Sequence, residues 1–373
     1  MEALLGIMQM VHDASPEGKV SIIVALIALA GVVISGILKL IGVCIGIYPQ
    51  LKKLEQKDVD NQPSGINKSP VVPSTESDDS ISEHKAPQNF QLPPKETPSE
   101  HKAGEVKMFA LPGGVELEMV WCPAGRFTMG SPDGKSEYPL SSGIDPKAEL
   151  GRYNNEAPHE VTLTKGFWIG KYPVTQIQYK AITGENPSYF KGNNRPVENV
   201  IWNSSVAFCE RLNELKIAPE GYRFALPTEA QWEYACRAET TTALNNEKPI
   251  TSENGECPNL DEVGWYGKNS EGKTHLVGEK RPNAWGIYDM HGNVWEWCRD
   301  YSIPRPVNSV WLAVTDTYRD GIEDPLCKKG GHRVLRGGSW NGSAGLCRSA
   351  HRSDEAPDFC YYNYGFRLAL VPE

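Results

Sequence analysis

The chain has 373 residues, 39% of them hydrophobic and 23% charged, with a formal net charge of −9. That length fits one large domain plus accessory segments. The acidic balance, with no Lys/Arg cluster, excludes a nucleic-acid footprint.

Residues 1–19 form a short flank. Val20–Leu38 then reads VSIIVALIALAGVVISGIL, 19 residues without a charge, and apolar character resumes after Lys39 up to about residue 48. At about 1.5 Å per residue such a run is long enough to cross a bilayer, and no small-residue cleavage site follows it cleanly. A single-pass signal anchor over 20–48 is expected. Lys39, Lys52, Lys53 and Lys57 follow it, whereas Lys19 stands against Glu2, Asp13 and Glu17. The positive-inside rule therefore places the main domain in the cytoplasm.

From residue 49 to 107 the chain turns polar, with seven Pro after Glu55 and Phe90 as its one aromatic there. Too little apolar surface is available to offset ordering entropy, so a disordered linker is expected. The folded domain is expected over 108–373. Its strand candidates include Glu116–Trp121 and Phe366–Val371. Thr175 with Gln178, and Thr228 with Gln231, read as capping boxes, and Gly184 as the residue closing the first of these helices. Asn203 or Ser204 caps a third helix whose apolar face carries Val206, Phe208, Cys209, Leu212 and Leu215. The class is α+β with much irregular backbone, for which 35 Gly and 10 Trp are well suited. None of the nine Cys has CxxC spacing, which excludes zinc-ribbon and thioredoxin-like sites.

Seven phrases in this domain occur in a fixed order: MVWCPAGRFTMGS (119–131), EAPHEVTLTKGFWIGKYPVTQIQYKAITGENPSYF (156–190), RPVENVIWNSSVAFC (195–209), YRFALPTEAQWEYACRA (222–238), PNAWGIYDMHGNVWEWCRD (282–300), RVLRGGSW (333–340) and YGFRLAL (364–370). Together they resemble the formylglycine-generating, or sulfatase-modifying-factor, family. The resemblance implies an irregular C-type-lectin-like core with little regular secondary structure. Trp202, Trp232, Trp285, Trp295, Trp297 and Trp340 are expected to pin its loops. It further implies a structural calcium held by Asp289, Gly292, Val294 and Glu296, two side chains and two main-chain carbonyls.

Catalytic members of the family hold copper(I) between two cysteines five residues apart, shortly after GGS. Counted from Ser339 without gaps, the first position here is Gly342 and the second Cys347; with a three-residue deletion that aligns RSAHR (348–352), the second falls on Ala344. The soft-thiolate pair is incomplete. An oxidase acting on a sulfatase cysteine would need Cys347 to work with Cys360, beside Ser339, and stands as the alternative.

The stretch from Asn341 to Tyr364 mixes Tyr, Ser, Gly and Asn in the manner of a paratope. Its frame resembles that of variable proteins diversified by retroelements. By that resemblance the ligand-contacting positions are Asn341, Gly342, Ser343, Gly345, Leu346, His351, Ser353, Asp354, Phe359, Tyr361, Tyr362 and Asn363. Arg348, Arg352, Asp358 and Arg367 are frame, with an Arg–Asp pair inside the loop fixing its shape. The expected function is a membrane-anchored, non-catalytic protein whose C-terminal face binds a protein or other macromolecule.

Overall fold

A computed structural model describes residues 101–131, 150, 152–153, 155–307 and 310–373, with side chains described outside 304–313. The expected anchor at 20–48, and the linker up to residue 100, lie outside the described residues. Among the described residues no helix is long and apolar enough to cross a membrane.

The described residues begin at His101, ahead of the expected domain start at residue 108. β1 (Val106–Leu111) pairs antiparallel with β2 (Val115–Cys122), Val106 facing Val120. Ahead of it, the His101 ring packs 4.9 Å from both Trp121 and Trp168. These aromatic contacts draw 101–107 out of the linker and onto the domain.

In β2 the exposed Glu116 and half-buried Glu118 alternate with buried Leu117 and Met119, and from Met119 to Cys122 both faces are buried, Trp121 in one apolar cluster and Val120 and Cys122 in another. β2 continues through β5 (Phe167–Gly170) and β15 (Ala369–Pro372) to β6 (Tyr222–Ala225), giving a five-stranded sheet in the order β1-β2-β5-β15-β6. The C-terminal strand is shorter than the expected Phe366–Val371 because β14 (Tyr364–Gly365) leaves to pair in parallel with β9 (Trp295–Val307). The second sheet runs β10-β9-β12-β13, with β10 at Val310–Val314, β12 at His332–Arg336 and β13 at Arg352–Glu355. β3 (Gly125–Met129), β4 (His159–Leu163) and β11 (Ile322–Glu323) make a small third sheet. β7 (Gly264–Trp265) and β8 (His291–Gly292) form a parallel pair.

Both capping boxes form as read. Thr175 caps α1 (Gln176–Thr183), and Gly184 closes it in the left-handed region at φ 82°. Thr228 caps α3 (Glu229–Arg237). The third helix differs: α2 spans Trp202–Glu214 with Ile201 at its N-cap and no side-chain cap, so Asn203 and Ser204 fall in its first turn. The N–H of Trp202, the first helical residue, donates to the Pro357 carbonyl at 3.1 Å, so the C-terminal tail satisfies one of the orphan donors of this helix end. A four-residue helix, α4, covers Pro258–Asp261.

Five of the six tryptophans expected in the interior are buried, and Trp202 is half-buried. Trp297 sits with Trp168, Phe208 and Phe366 in one apolar cluster; Trp232 and Trp285 sit with Ile287 and Cys298 in a second. A third holds Cys257, Leu260, Tyr266 and Cys347. The eight described cysteines are all free.

Candidate functional site

The twelve tail positions do not share one environment. Asn341, Phe359 and Tyr361 are exposed, whereas Gly345, His351 and Asn363 are buried. His351 packs against Tyr153 and Trp295 and faces Glu156 at 3.4 Å. Gly345 is so close to Glu253 that a Cβ would lie 2.7 Å from its Cγ. Ser353 and Asp354 belong to β13, where Asp354 accepts from the Ser302 hydroxyl and faces His332 at 3.7 Å. Those five are therefore internal or sheet-bound. Gly342, Ser343, Leu346 and Tyr362 remain half-buried beside the exposed three.

An aromatic face gathers around that remainder. The Tyr361 and Tyr362 rings lie 4.0 Å apart and their hydroxyls are joined by a 2.9 Å hydrogen bond. Tyr362 also packs 5.5 Å from Trp340 and 5.9 Å from Tyr189. Tyr189 is 71% exposed, Tyr361 40% and Phe359 39%. Tyr189 and Phe190 were not read as surface residues in PSYF, because nothing local shows that this loop meets a tail some 170 residues on.

The backbone under this face is tied down. The Asn199 N–H donates to Tyr361 O at 3.0 Å and the Trp295 N–H to Asn363 O at 2.8 Å. Asn363 Nδ2 donates to Ser339 Oγ and Asn341 Oδ1 at 3.0 and 2.8 Å. Buried Glu198 accepts from the Phe190 N–H at 2.8 Å, and burial pushes its carboxyl up to about 7.

The frame arginines are held by distant glutamates rather than by an Asp inside the loop. Arg348 binds Glu156 bidentately at 2.6 and 2.7 Å. Arg352 pairs with Glu229, and Arg367 with Glu296. Asp358 is exposed. All three pairs are buried, where a planar guanidinium fork satisfies both carboxylate oxygens. Arg336 completes the frame: it pairs with Glu233 and donates to the carbonyls of Ser349, Ala350 and His351 at 2.8 to 2.9 Å.

These pairs set the pH response. Burial alone would raise Glu156 and Glu233, but Arg348 holds the first, and Arg237 with Arg336 the second, below the ordinary carboxylate value. Their stabilisation is present above the unfolded pKa and is lost on acidification. Burial, aided by Glu229, pushes Asp300 up to about 7; burial likewise pushes Asp289 up to about 6. For Asp300, Asp289 and Glu198 the stabilisation is full below the unfolded pKa and declines as pH rises through 6 to 7. The expected melting temperature is therefore higher near about pH 5.5 than near about pH 8. Thermal scans across that range check this, with Asp300→Asn flattening the alkaline limb.

The residues expected to hold calcium do not fit a cation. Glu296 already accepts from Arg367 Nε at 2.5 Å, Arg367 Nη2 at 2.7 Å and Trp232 Nε1 at 2.6 Å. Its charge is matched by a guanidinium and both oxygens are occupied. Asp289 accepts from the Gly278 N–H at 2.7 Å and from Asn293 Nδ2 at 3.4 Å. Gly292, at φ 97°, serves the β7–β8 pairing, where a Cβ would lie 2.0 Å from Trp265 O. Val294 is buried in the interior. Among the described residues no group of three or more His, Cys, Asp or Glu is arranged to hold a metal. Chelation with EDTA is expected to leave the melting temperature unchanged, and calorimetry with and without calcium measures it.

The expected copper pair is not assembled in the tail. Cys347 is buried with Cys257 and Ala344, and burial pushes its thiol up to about 12. Gly342 supplies no sulfur, and Cys360 lies half-buried between Phe359 and Tyr361 in the tail. Ser339 is wholly buried, its hydroxyl donating to Asn341 Oδ1 at 2.8 Å. A nearby Cys236–His291 contact of 3.9 Å is no nucleophile pair either. His291 Nε2 accepts the Asn245 N–H at 3.0 Å and Nδ1 donates to Cys347 O at 2.7 Å, so no nitrogen is left to take the thiol proton.

Comparison with known proteins matches this architecture. The sulfatase-modifying factor enzyme 1-like domain covers residues 109–371. The chain is 33% identical over 200 residues to the chaperone protein LppX of Paenibacillus barcinonensis, covering 40% of this chain and 68% of that one. It is 30% identical over 225 residues to the formylglycine-generating enzyme of Mus musculus, spanning 57% of this chain but only 53% of the enzyme. Among solved structures, Treponema denticola variable protein 1 superposes with a TM-score of 0.57 at 31% identity, over 72% of this chain and 99% of that one. PvdO from Pseudomonas aeruginosa gives 0.56 at 29%, with the same coverage. With its irregular α+β core, its buried Arg–Glu frame and a family match across the whole folded domain, the chain belongs to the sulfatase-modifying factor enzyme 1-like domain family.

Proposed function

We propose that this domain is a non-catalytic binding module that presents its C-terminal aromatic face to a protein, and that the apolar segment at 20–48 tethers it to a membrane. The observation that carries the reading is the gathering of Tyr189, Phe359, Tyr361 and Tyr362 on a backbone fixed from beneath. Tyrosine and phenylalanine supply contact area at low entropic cost, and soluble domains seldom leave such a cluster exposed without a partner. The likeness to a variable protein supports the same use of the tail.

A photo-crosslinking residue placed at Tyr361 of the full chain, in its native cells, is expected to yield a discrete protein adduct. The same residue at exposed Met108 on β1 should not. Adducts equal at both positions would count against the proposal.

The alternative rests on Cys347 and the similarity to formylglycine-generating enzymes. Cu(I) titration of the full chain against a chromophoric chelator decides between the readings. No stoichiometric copper is expected; tight one-to-one binding abolished in Cys347→Ser would establish the oxidase reading instead.

A further inference from the structure

A groove of about 260 Å³ opens on a different part of the domain, walled by α2, β6, β9 and the segment 326–333. Its cationic lining is Arg223, Arg299, Lys328 and Arg333, against Glu210 as the acidic side chain. Among the described residues none of these four cations forms an ion pair. Arg333 is only 7% exposed; its guanidinium is sandwiched 3.6 Å from the Trp202 ring and 3.2 Å from the Tyr301 ring, and its Nε is buried without a partner. Asp300, next along β9, forms no ion pair with these groups; its oxygens accept the N–H groups of Glu229 and Cys327 at 2.7 and 2.8 Å. Burial, and then the like charge of Arg223, hold Arg299 below the usual guanidinium range. Buried Arg333 and half-buried Arg299 stand here without an ion-pair partner, a cost in free energy that an anion would return.

We propose that this groove binds a compact phosphate monoester, with the phosphate on the arginine cluster and an organic stub against Val206, Phe224 and Leu326. Four cations against one carboxylate favour a dianion, and guanidinium forks match the oxygen spacing of phosphate. The apolar side of the same groove accepts a ring or short aliphatic group, which inorganic phosphate lacks. The site is independent of the aromatic face and of how that face is used.

Isothermal titration of the full chain with phenyl phosphate tests it. Binding should weaken with salt and exceed that of inorganic phosphate. Arg223→Gln and Arg299→Gln should each weaken it about tenfold or more, as loss of a charge-assisted contact does. Lys165→Gln, on the surface elsewhere, should leave it unchanged. Arg223 is exposed, so its variant is expected to keep the parent melting temperature and so separates lost binding from lost fold. A short phosphotyrosine peptide forms the second arm. Tighter binding of the peptide than of phenyl phosphate assigns the ester to a protein partner, and its exclusion assigns a free small molecule. No heat with either ligand at about 5 mM, or affinity unaltered in both arginine variants, would overturn the proposal.

Discussion

Replacing Glu233 by alanine should lower the stability of the folded domain by about 3–5 kcal/mol, the usual effect of removing one partner from a buried ion pair. Glu233 is fully buried and serves three elements at once. Its Oε1 accepts from the Gly130 N–H at 2.8 Å and from Arg237 Nε at 2.9 Å, and its Oε2 accepts from Arg336. Without the carboxylate, two buried guanidinium groups lose their counter-charge, since Arg336 is 0% and Arg237 3% exposed. Arg336 still has three carbonyl acceptors and a second carboxylate, Glu229, at 3.5 Å, which keeps the loss from running higher. At about 2–4 °C per kcal/mol for a domain of this size, the melting temperature should fall by roughly 6–20 °C. Calorimetry of the single variant measures this; a fall within a degree or two of the parent would show that the network contributes little.

A second large effect is expected at the aromatic face, on binding rather than stability. Tyr361→Ala combined with Tyr189→Ala removes the two most exposed rings of the cluster, neither of which belongs to a buried apolar core. Central aromatic anchors of protein interfaces typically cost 2 kcal/mol or more on truncation, so affinity for the crosslinked partner should fall by about 30-fold or more. The melting temperature should hardly move. Surface plasmon resonance with the purified partner reads the first effect and a thermal scan the second. Equal affinity in the double variant would place the contact elsewhere.

What was legible beforehand followed the range of the interactions. The Thr175 and Thr228 caps close within three residues, so their chemistry is written in adjacent letters. The Trp-rich blocks and the order of the seven phrases likewise announced the fold. The N-terminus of α2 differs from the reading because apolar Ile201 stands at its N-cap and its first N–H is satisfied by Pro357, far along the chain. The same distance hid the partners of the frame arginines: Glu156 and Arg348 are 192 positions apart. The tail composition pointed to a contact surface, yet only tertiary packing separated exposed Tyr361 from buried His351 and Asn363. Glu296 has the chemistry of a calcium ligand, and only the approach of Arg367 shows that its charge is already matched.

Arg336 gives the tail an unusual freedom. It grips residues 349–351 by their carbonyl oxygens, which every amino acid carries, and the tail beyond them is fastened to Asn199, Trp202 and Trp295 through main-chain atoms as well. None of those fastenings depends on what side chain stands at Phe359, Tyr361 or Tyr362. Substitution at these rim positions therefore leaves the main-chain fastenings of the tail in place.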